Sequence, residues 1–416
     1  MEHARSKSLL NLTGLTEPAE GGGGGGGMRR SLSQVFMPDC KFAAVEGGGT
    51  TFRVAIAHGD PTNVVDRAEF ATTTPAETLG KVCRWLAEQE YDAIGIASFG
   101  PIDPNPASPT FGYITTTPKP GWKNADIVGP ILAVRRVPFM FDTDVNAPAM
   151  AEFTLGGVRR DGCSSCAYVT VGTGIGVGLV VNGKSVHGLL HPEGGMVSVP
   201  RFDGDSFHCV KDMAIPTSVE AMAASSAIAQ RAGVPTPELA ALPDSHPVWD
   251  EAAHYLAGLC ANLILIASPE RIVLGGGVFN RACLYDKVRA ATRKLLNGYI
   301  QVPALHADNI DNYIVSSVWG AEAGLVGALA LGQVALLNYR QSQALGVQTS
   351  APVDNSRDSE TYGFVMDTRQ KQVSAAAGGG AARKSAGATG TSVPLLVGAA
   401  AAGAALAMLA TRMVKR

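Results

Sequence analysis

The 416-residue chain has almost no excess of charge: 34 Lys and Arg stand against 36 Asp and Glu, a formal net charge of -2. No global field of either sign is present to draw in nucleic acid or to concentrate a charged partner. Cysteine is scarce and odd in number, seven in all. That argues against a disulfide framework, and free thiols in a reducing compartment are expected. Near the start, Asn11 interrupts the only apolar stretch, Leu9-Leu10-Asn11-Leu12, so no secretory signal is expected. Residues 1–41 show no helix-turn-helix pattern, which argues against a DNA-binding repressor.

What the chain does have is apolar mass and glycine. Hydrophobic residues make up 46% and charged residues 17%, enough for a large buried core in two lobes with tails. Seven consecutive glycines, Gly21 to Gly27, mark residues 1–41 as a disordered leader. Residues 336–392 read as a linker, ending in an Ala, Gly, Ser and Thr stretch from Ser374 to Thr391. Val393 to Ala410 then runs without a polar side chain. A helix of roughly 18 residues just spans a hydrocarbon core of about 30 Å, so 393–410 is a candidate transmembrane tail anchor. Eight alanines weaken its drive into lipid, and an Ala-rich helix docked on protein is the alternative. Basic residues flank the run, which points to a cytosol-facing body on an organelle membrane, the mitochondrial outer membrane first. Without such an anchor the protein is expected to be cytoplasmic.

The remaining glycines fall in short loops between apolar strands. Phe42 to Glu46 leads into Gly47-Gly48-Gly49-Thr50-Thr51, after which Phe52 to Ala57 resumes as a strand. Cys166 to Val171, Gly172-Thr173-Gly174-Ile175-Gly176 and Val177 to Val181 repeat the design and close on an Asn182-Gly183 turn. Glycine at such tips turns successive N–H groups outward as an anion nest, and threonine hydroxyls add donors. Gly48, Gly49, Thr50, Thr51, Thr173 and Gly174 are therefore candidate phosphate contacts. A dinucleotide fingerprint would have to open a helix, and here β-branched residues follow instead. A third cluster, Gly275-Gly276-Gly277, follows the apolar strand Arg271 to Leu274 and precedes a helix. Gly276 and Gly277 are candidates to support a purine and its ribose.

The Glu46-to-Thr50 turn, the Gly172-to-Gly178 hairpin and the Leu274-to-Val278 cluster resemble the ROK family of sugar kinases. The resemblance runs from about Phe42 to Gly332 and implies an α/β, two-lobed actin-like, ribonuclease-H-like ATPase fold. The expected division is an N-terminal lobe at 42–150, completed by a helix returning near 317–335, and a C-terminal lobe at 151–316. Ser98 to Asp103, Tyr113 to Trp122 and Asp142 to Ala147 look like the fructokinase branch.

The resemblance implies phosphorylation of a hexose, fructose first, with ATP and Mg²⁺. Mannose, glucose and an amino sugar are the alternative acceptors. Phosphoryl transfer to an alcohol needs a held nucleotide, a metal on its phosphates and a base near the hydroxyl. Asp144 matches the family's base. Asp142 and Asp144 are two apart and share a face in an extended chain, so spacing alone does not choose between them. Asp142 or Thr143 would line the pocket or cap the following helix. Glu193 and Glu220 match the family's hexose-hydroxyl contacts, Gly121 and Trp122 are expected to form a wall for the sugar ring, and Gly100 and Thr117 line it. The family's zinc ligands are missing: Met196 stands at the His position, and Asp212 to Ser218 lacks Cys and His. His208 and Cys209 alone do not close a tetrahedral site, so zinc is expected to be absent. That loss motivates a second reading, a catalytically inactive membrane-tethered sugar sensor or scaffold. A homodimer is compatible with the sequence, and no nucleic-acid partner is expected.

Overall fold

The run Lys41–Gly47 carries apolar residues at consecutive positions, as a strand covered on both faces does. It forms β1, in the middle of a five-stranded sheet of the computed structural model, which describes residues 36–158, 161–209 and 214–345. β1 pairs antiparallel with Thr51–His58 (β2), and β2 pairs antiparallel with Val64–Ala71 (β3). On its other side β1 runs parallel to Ala93–Ser98 (β4), whose six residues are all buried. A small ribbon of Tyr113–Ile114 (β5) and Ala125–Asp126 (β6) precedes Phe139–Thr143 (β7), which pairs in parallel with β4.

The second sheet repeats this topology. Cys166–Val171 (β8) and Ile175–Val181 (β9) form a hairpin extended by Lys184–Ser185 (β10). Ile272–Gly275 (β11) runs parallel to β8, and Ile314–Ser316 (β12) runs parallel to β11. The orders are therefore β3-β2-β1-β4-β7 and β10-β9-β8-β11-β12.

Parallel neighbours need crossover connections, which helices supply. Pro75–Ala87 (α1) leads into β4; its first turn is capped by Thr74, whose hydroxyl accepts the Glu77 N–H, with Pro75 in the first helical position. Val128–Val134 (α2) precedes β7, and Asn146–Thr154 (α3) follows it. Val219–Ala223 (α4), Ser225–Ala232 (α5) and Val248–Ile266 (α6) lie between β10 and β11. Cys283–Leu296 (α7) and Ile310–Tyr313 (α8) connect β11 to β12.

The final helix, Ala323–Ala344 (α9), returns to the first sheet and packs on β4, β1, β7 and α3. It comes so close that a Cβ at Gly95 would collide with the Ala328 carbonyl. Glycine is required there for contact. Gly320–Ala344 is the one helix among the described residues long and apolar enough to cross a membrane, with a mean hydropathy of 1.5. In the fold it is mostly buried, so its apolar character is that of a core helix.

Two boundaries differ from the sequence expectation. The fold includes Phe36 to Lys41: Met37 and Cys40 are buried, and Met37 and Cys40 exchange backbone bonds with Gly59. α9 also continues past residue 335, because Leu336 still has core to pack against. Most of the expected leader, most of the linker and the candidate span 393–410 lie outside the described residues.

Candidate active site

The glycine turns all fall at the carboxyl ends of strands. The Gly47-to-Thr50 turn follows β1, Phe99-Gly100 follows β4, Asp144 follows β7, Gly172-Thr173-Gly174 follows β8, and Gly276-Gly277 follows β11. Strand ends of mixed α/β sheets are where ligand crevices form. Two cavities open there. One, of about 630 Å³, is lined by Gly49, Gly100, Thr117, Thr143, Asp144, Thr173, Gly174, Glu193 and Glu220 among others. The other, of about 560 Å³, is lined by Ser225, Leu239, Trp249, Gly277, Val278, Asn280 and Arg281. Gly172 and Thr173 line both, so the tip of the β8–β9 hairpin stands where the cavities meet.

Asp144 takes its position from the β4–β7 ladder. Its N–H donates to the Ser98 carbonyl at 2.9 Å, one step beyond the last paired residues, and the half-buried side chain lines the larger cavity. Burial pushes its carboxyl up to about 7, and the charges of Glu46 and Glu193 push the same way. A carboxylate near neutrality is matched to proton abstraction at physiological pH.

The neighbours of Asp144 divide the remaining tasks. The Thr143 hydroxyl accepts the Asn146 N–H at 2.9 Å where α3 begins, and Val145 rather than Asp144 holds the N-cap position. Asp142 turns away from the cavity and is buried, where its Oδ1 accepts from the Thr143 N–H, from Asn146 Nδ2 and from His187 Nε2 at 3.0 Å. The shared face of an extended strand is lost because the chain leaves β7 at Thr143.

Two carboxylates, Glu193 and Glu220, line the same cavity as Asp144. Glu193 precedes the turn Gly194–Met196, and burial with the nearby Glu220 charge raises its carboxyl. Glu220 lies in the first turn of α4, capped by the Ser218 hydroxyl, and its Oε2 accepts the Ile175 N–H at 2.7 Å. Glu46, at the end of β1, is raised by burial and held by Arg53 Nε at 2.6 Å.

The structure separates the other candidates. Trp122 does not form a sugar wall: its ring is fully buried, stacked on Phe52 at 5.3 Å, with Nε1 donating to the Thr73 carbonyl. An indole this apolar gains more from the core than from a wet cleft. Gly121 is exposed and outside the cavity lining. Of the first glycine turn only Gly49 lines the cavity. Gly48 closes the turn by donating to the Thr51 carbonyl, and Thr50 and Thr51 hold the β3 edge. Gly276 has φ +87, and a Cβ there would stand 2.5 Å from the Val171 carbonyl oxygen. It is a packing glycine beneath the turn, whereas Gly277 lines the smaller cavity.

Lys119 and His191 line the larger cavity without having been singled out from the sequence. Lys119 Nζ donates to the Gly49 carbonyl, closing the Thr117-to-Gly121 loop onto the first glycine turn. Their sequence signal was adjacency alone: Lys119 sits between two prolines and His191 two residues before Glu193. Met196 also lines this cavity, and among the described residues no three His, Cys, Asp or Glu side chains form a metal-ligating group.

Comparison with known proteins agrees with this geometry. The ROK family pattern matches residues 42–334, and the chain belongs to the ROK family. The fructokinase of Pediococcus pentosaceus is 38% identical over 71% of this chain and 98% of its own length. That of Zymomonas mobilis is 36% identical over 71% of this chain and 97% of its own. Among solved structures, a ROK hexokinase from Thermus thermophilus is similar at 27% identity with a TM-score of 0.57, covering 72% of this chain and 99% of that one. A Streptomyces griseus ROK glucokinase shares the fold at 23% identity and a TM-score of 0.56, over 71% of this chain and 99% of that one.

Proposed function

We propose that the protein transfers the γ-phosphoryl group of ATP to the terminal hydroxyl of fructose, giving fructose 6-phosphate and ADP. The coarser class is plain: the chain is an enzyme of the fructokinase type, a phosphotransferase with an alcohol acceptor. For the finer assignment, the carrying observation is that the two cavities share Gly172 and Thr173 while Asp144 opens into only one of them.

In this reading the smaller cavity takes the nucleoside against Trp249, Leu239 and Val278, with Gly277 beneath it. The phosphates cross the Gly172-Thr173 tip, where the Thr173 N–H and hydroxyl donate to them while the Gly172 N–H stays bonded to the Gly174 carbonyl. Mg²⁺ enters as part of the MgATP substrate and is held chiefly by the phosphates. The sugar lies among Gly100, Thr117, Glu193 and Glu220 with its terminal hydroxyl toward Asp144. The Asp144 carboxylate takes the hydroxyl proton, the sugar oxygen forms a bond to the γ-phosphorus, and the bond from that phosphorus to the β-bridging oxygen breaks to release ADP. The similarity to two proteins named fructokinase supports fructose as the acceptor.

ADP release measured with fructose, mannose, glucose and an amino sugar tests this. Fructose should give the highest kcat/KM. Preference for another sugar overturns the substrate, and no sugar-dependent ADP release overturns the reading.

A further inference from the structure

The segment from Val186 to Glu193 crosses from the second sheet to the first and touches it through two histidines. His187 Nε2 lies 3.0 Å from Asp142 Oδ1 at the end of β7. Four residues later, His191 Nε2 accepts the Ile102 N–H at 3.0 Å. A ring nitrogen that accepts an N–H carries no proton, so His191 is neutral with its hydrogen on Nδ1. Nδ1 faces the Pro192 carbonyl at 3.4 Å, in keeping with that tautomer.

The contact is tight and enclosed. The His191 side chain is 2% exposed, and Ile102 is fully buried. A Cβ at Gly100 would stand 3.3 Å from both Cε1 and Nε2 of the ring, so the imidazole edge rests on the Gly100 backbone. Gly100 and Pro101 line the larger cavity from the first sheet, and His191, Pro192 and Glu193 line it from the second. One hydrogen bond thus joins opposite walls of the cavity. Without it a buried amide would lose its acceptor.

We propose that His191 is a positioning residue that ties the Gly100-to-Ile102 loop to the Glu193 segment and so holds the sugar cavity in its binding shape. The proposal rests on reading that cavity as the sugar site.

Burial holds the imidazole below its ordinary value, against the opposing pull of the Pro192 carbonyl and Asp142. The titratable groups facing it are Asp142, His187 and Glu193. Protonation would place a donor against the Ile102 N–H and break the tie, so the tie persists as pH falls below about 6.5 and fails only in more acidic solution.

Three variants and two readouts test this. His191→Ala should raise the Kd for fructose at least about tenfold, and leave the KM for ATP within about twofold, which also reports that the chain is folded. His191→Gln, whose amide oxygen can accept the same N–H and does not titrate, should recover most of the affinity. The extra weakening of fructose binding that the unsubstituted protein shows in acid should be missing from His191→Gln. His191→Phe, similar in size but without an acceptor, should behave like His191→Ala. The second readout needs no sugar: hydrogen exchange at the Ile102 amide should be slow in the unsubstituted protein and in His191→Gln, and fast in the other two. Unchanged exchange in His191→Ala overturns the tie whatever the substrate proves to be. Unchanged fructose affinity in His191→Ala, in a chain that does phosphorylate fructose, overturns its role in binding. Failure of the unsubstituted chain to phosphorylate any hexose overturns the functional reading and leaves the exchange result to decide the tie.

Discussion

The Ile175 N–H donates to Glu220 Oε2 at 2.7 Å, which fastens the tip of the β8–β9 hairpin to the first turn of α4. The glycine loop shared by the two cavities and a carboxylate of the larger one are thereby one mechanical unit. The same carboxylate leaves no room at the tip: a Cβ on Gly174 would stand 2.7 Å from Glu220 Oε2.

Gly174→Ala should therefore disturb both substrates. Pushing Glu220 away removes the acceptor of a partly buried N–H, and KM for fructose and for ATP should each rise at least about tenfold, near 1.4 kcal/mol. Gly172→Ala is the matched control, since a Cβ there meets nothing within 4 Å. It should leave the Tm unchanged and raise both KM values less than Gly174→Ala does, because its side chain would enter the space where the cavities meet without displacing Glu220. Steady-state kinetics and thermal melts of the two variants check this pair.

Asp144→Asn should lower kcat by about 10²- to 10⁴-fold while sugar and ATP still bind, the range for loss of a positioned general base. Calorimetric binding beside turnover rates separates the two effects. Near-normal turnover in this variant would remove the base assignment.

The raised carboxyl of Asp144 also sets a pH dependence. The proton must leave before the group can act, so kcat/KM for the sugar should rise through about pH 7 and level off above it. Below that, each pH unit should cost about tenfold. The sign for stability is opposite. A carboxyl raised in the folded state favours folding in acid, and its charged form is a burden above pH 7. Asp144→Asn should therefore melt higher than the unsubstituted protein at pH 8, by on the order of 2 °C or more, with the gap fading toward pH 4. Melting curves at both ends of that window check it.

A buried ion pair fixes the loop that follows Glu193. Arg231 Nη2 lies 2.8 Å from Asp205 Oδ2 and Nη1 2.9 Å from Glu251, with the Arg231 and Asp205 side chains 3% and 4% exposed. Burial alone would raise the Asp205 carboxyl, but bonds from Arg231 and Tyr255 outweigh it and hold it far below the usual range. Arg231→Met would strand that charge and should cost about 3–5 kcal/mol in chemical denaturation at pH 7. A lowered carboxyl contributes above its unfolded value and loses the contribution as pH falls through the folded one. The deficit of Arg231→Met should therefore hold at neutral pH and shrink only in strong acid.

Local order was readable where the chain's own chemistry enforces it. Apolar runs ending in Gly47-Gly48-Gly49, Gly172-Thr173-Gly174 and Gly275-Gly276-Gly277 became strands with turns at their carboxyl ends. Spacing did not separate Asp142 from Asp144, because the side each faces depends on where β7 lets the chain turn. Trp122 read as a sugar wall since aromatics serve in clefts and cores alike, and only packing on Phe52 and Phe99 assigns it to the core.

By itself the amino-acid sequence determined the family, the order of strands and glycine turns, and the carboxylates available for chemistry, because these rest on neighbouring residues. Tertiary structure alone decided which of them share a cavity. Glu220 meets Ile175 across 45 positions and His191 meets Ile102 across 89, contacts that no local pattern encodes. It also decided that Gly276 packs under a strand while Gly277 lines a cavity, since adjacent residues on a turn face different surroundings.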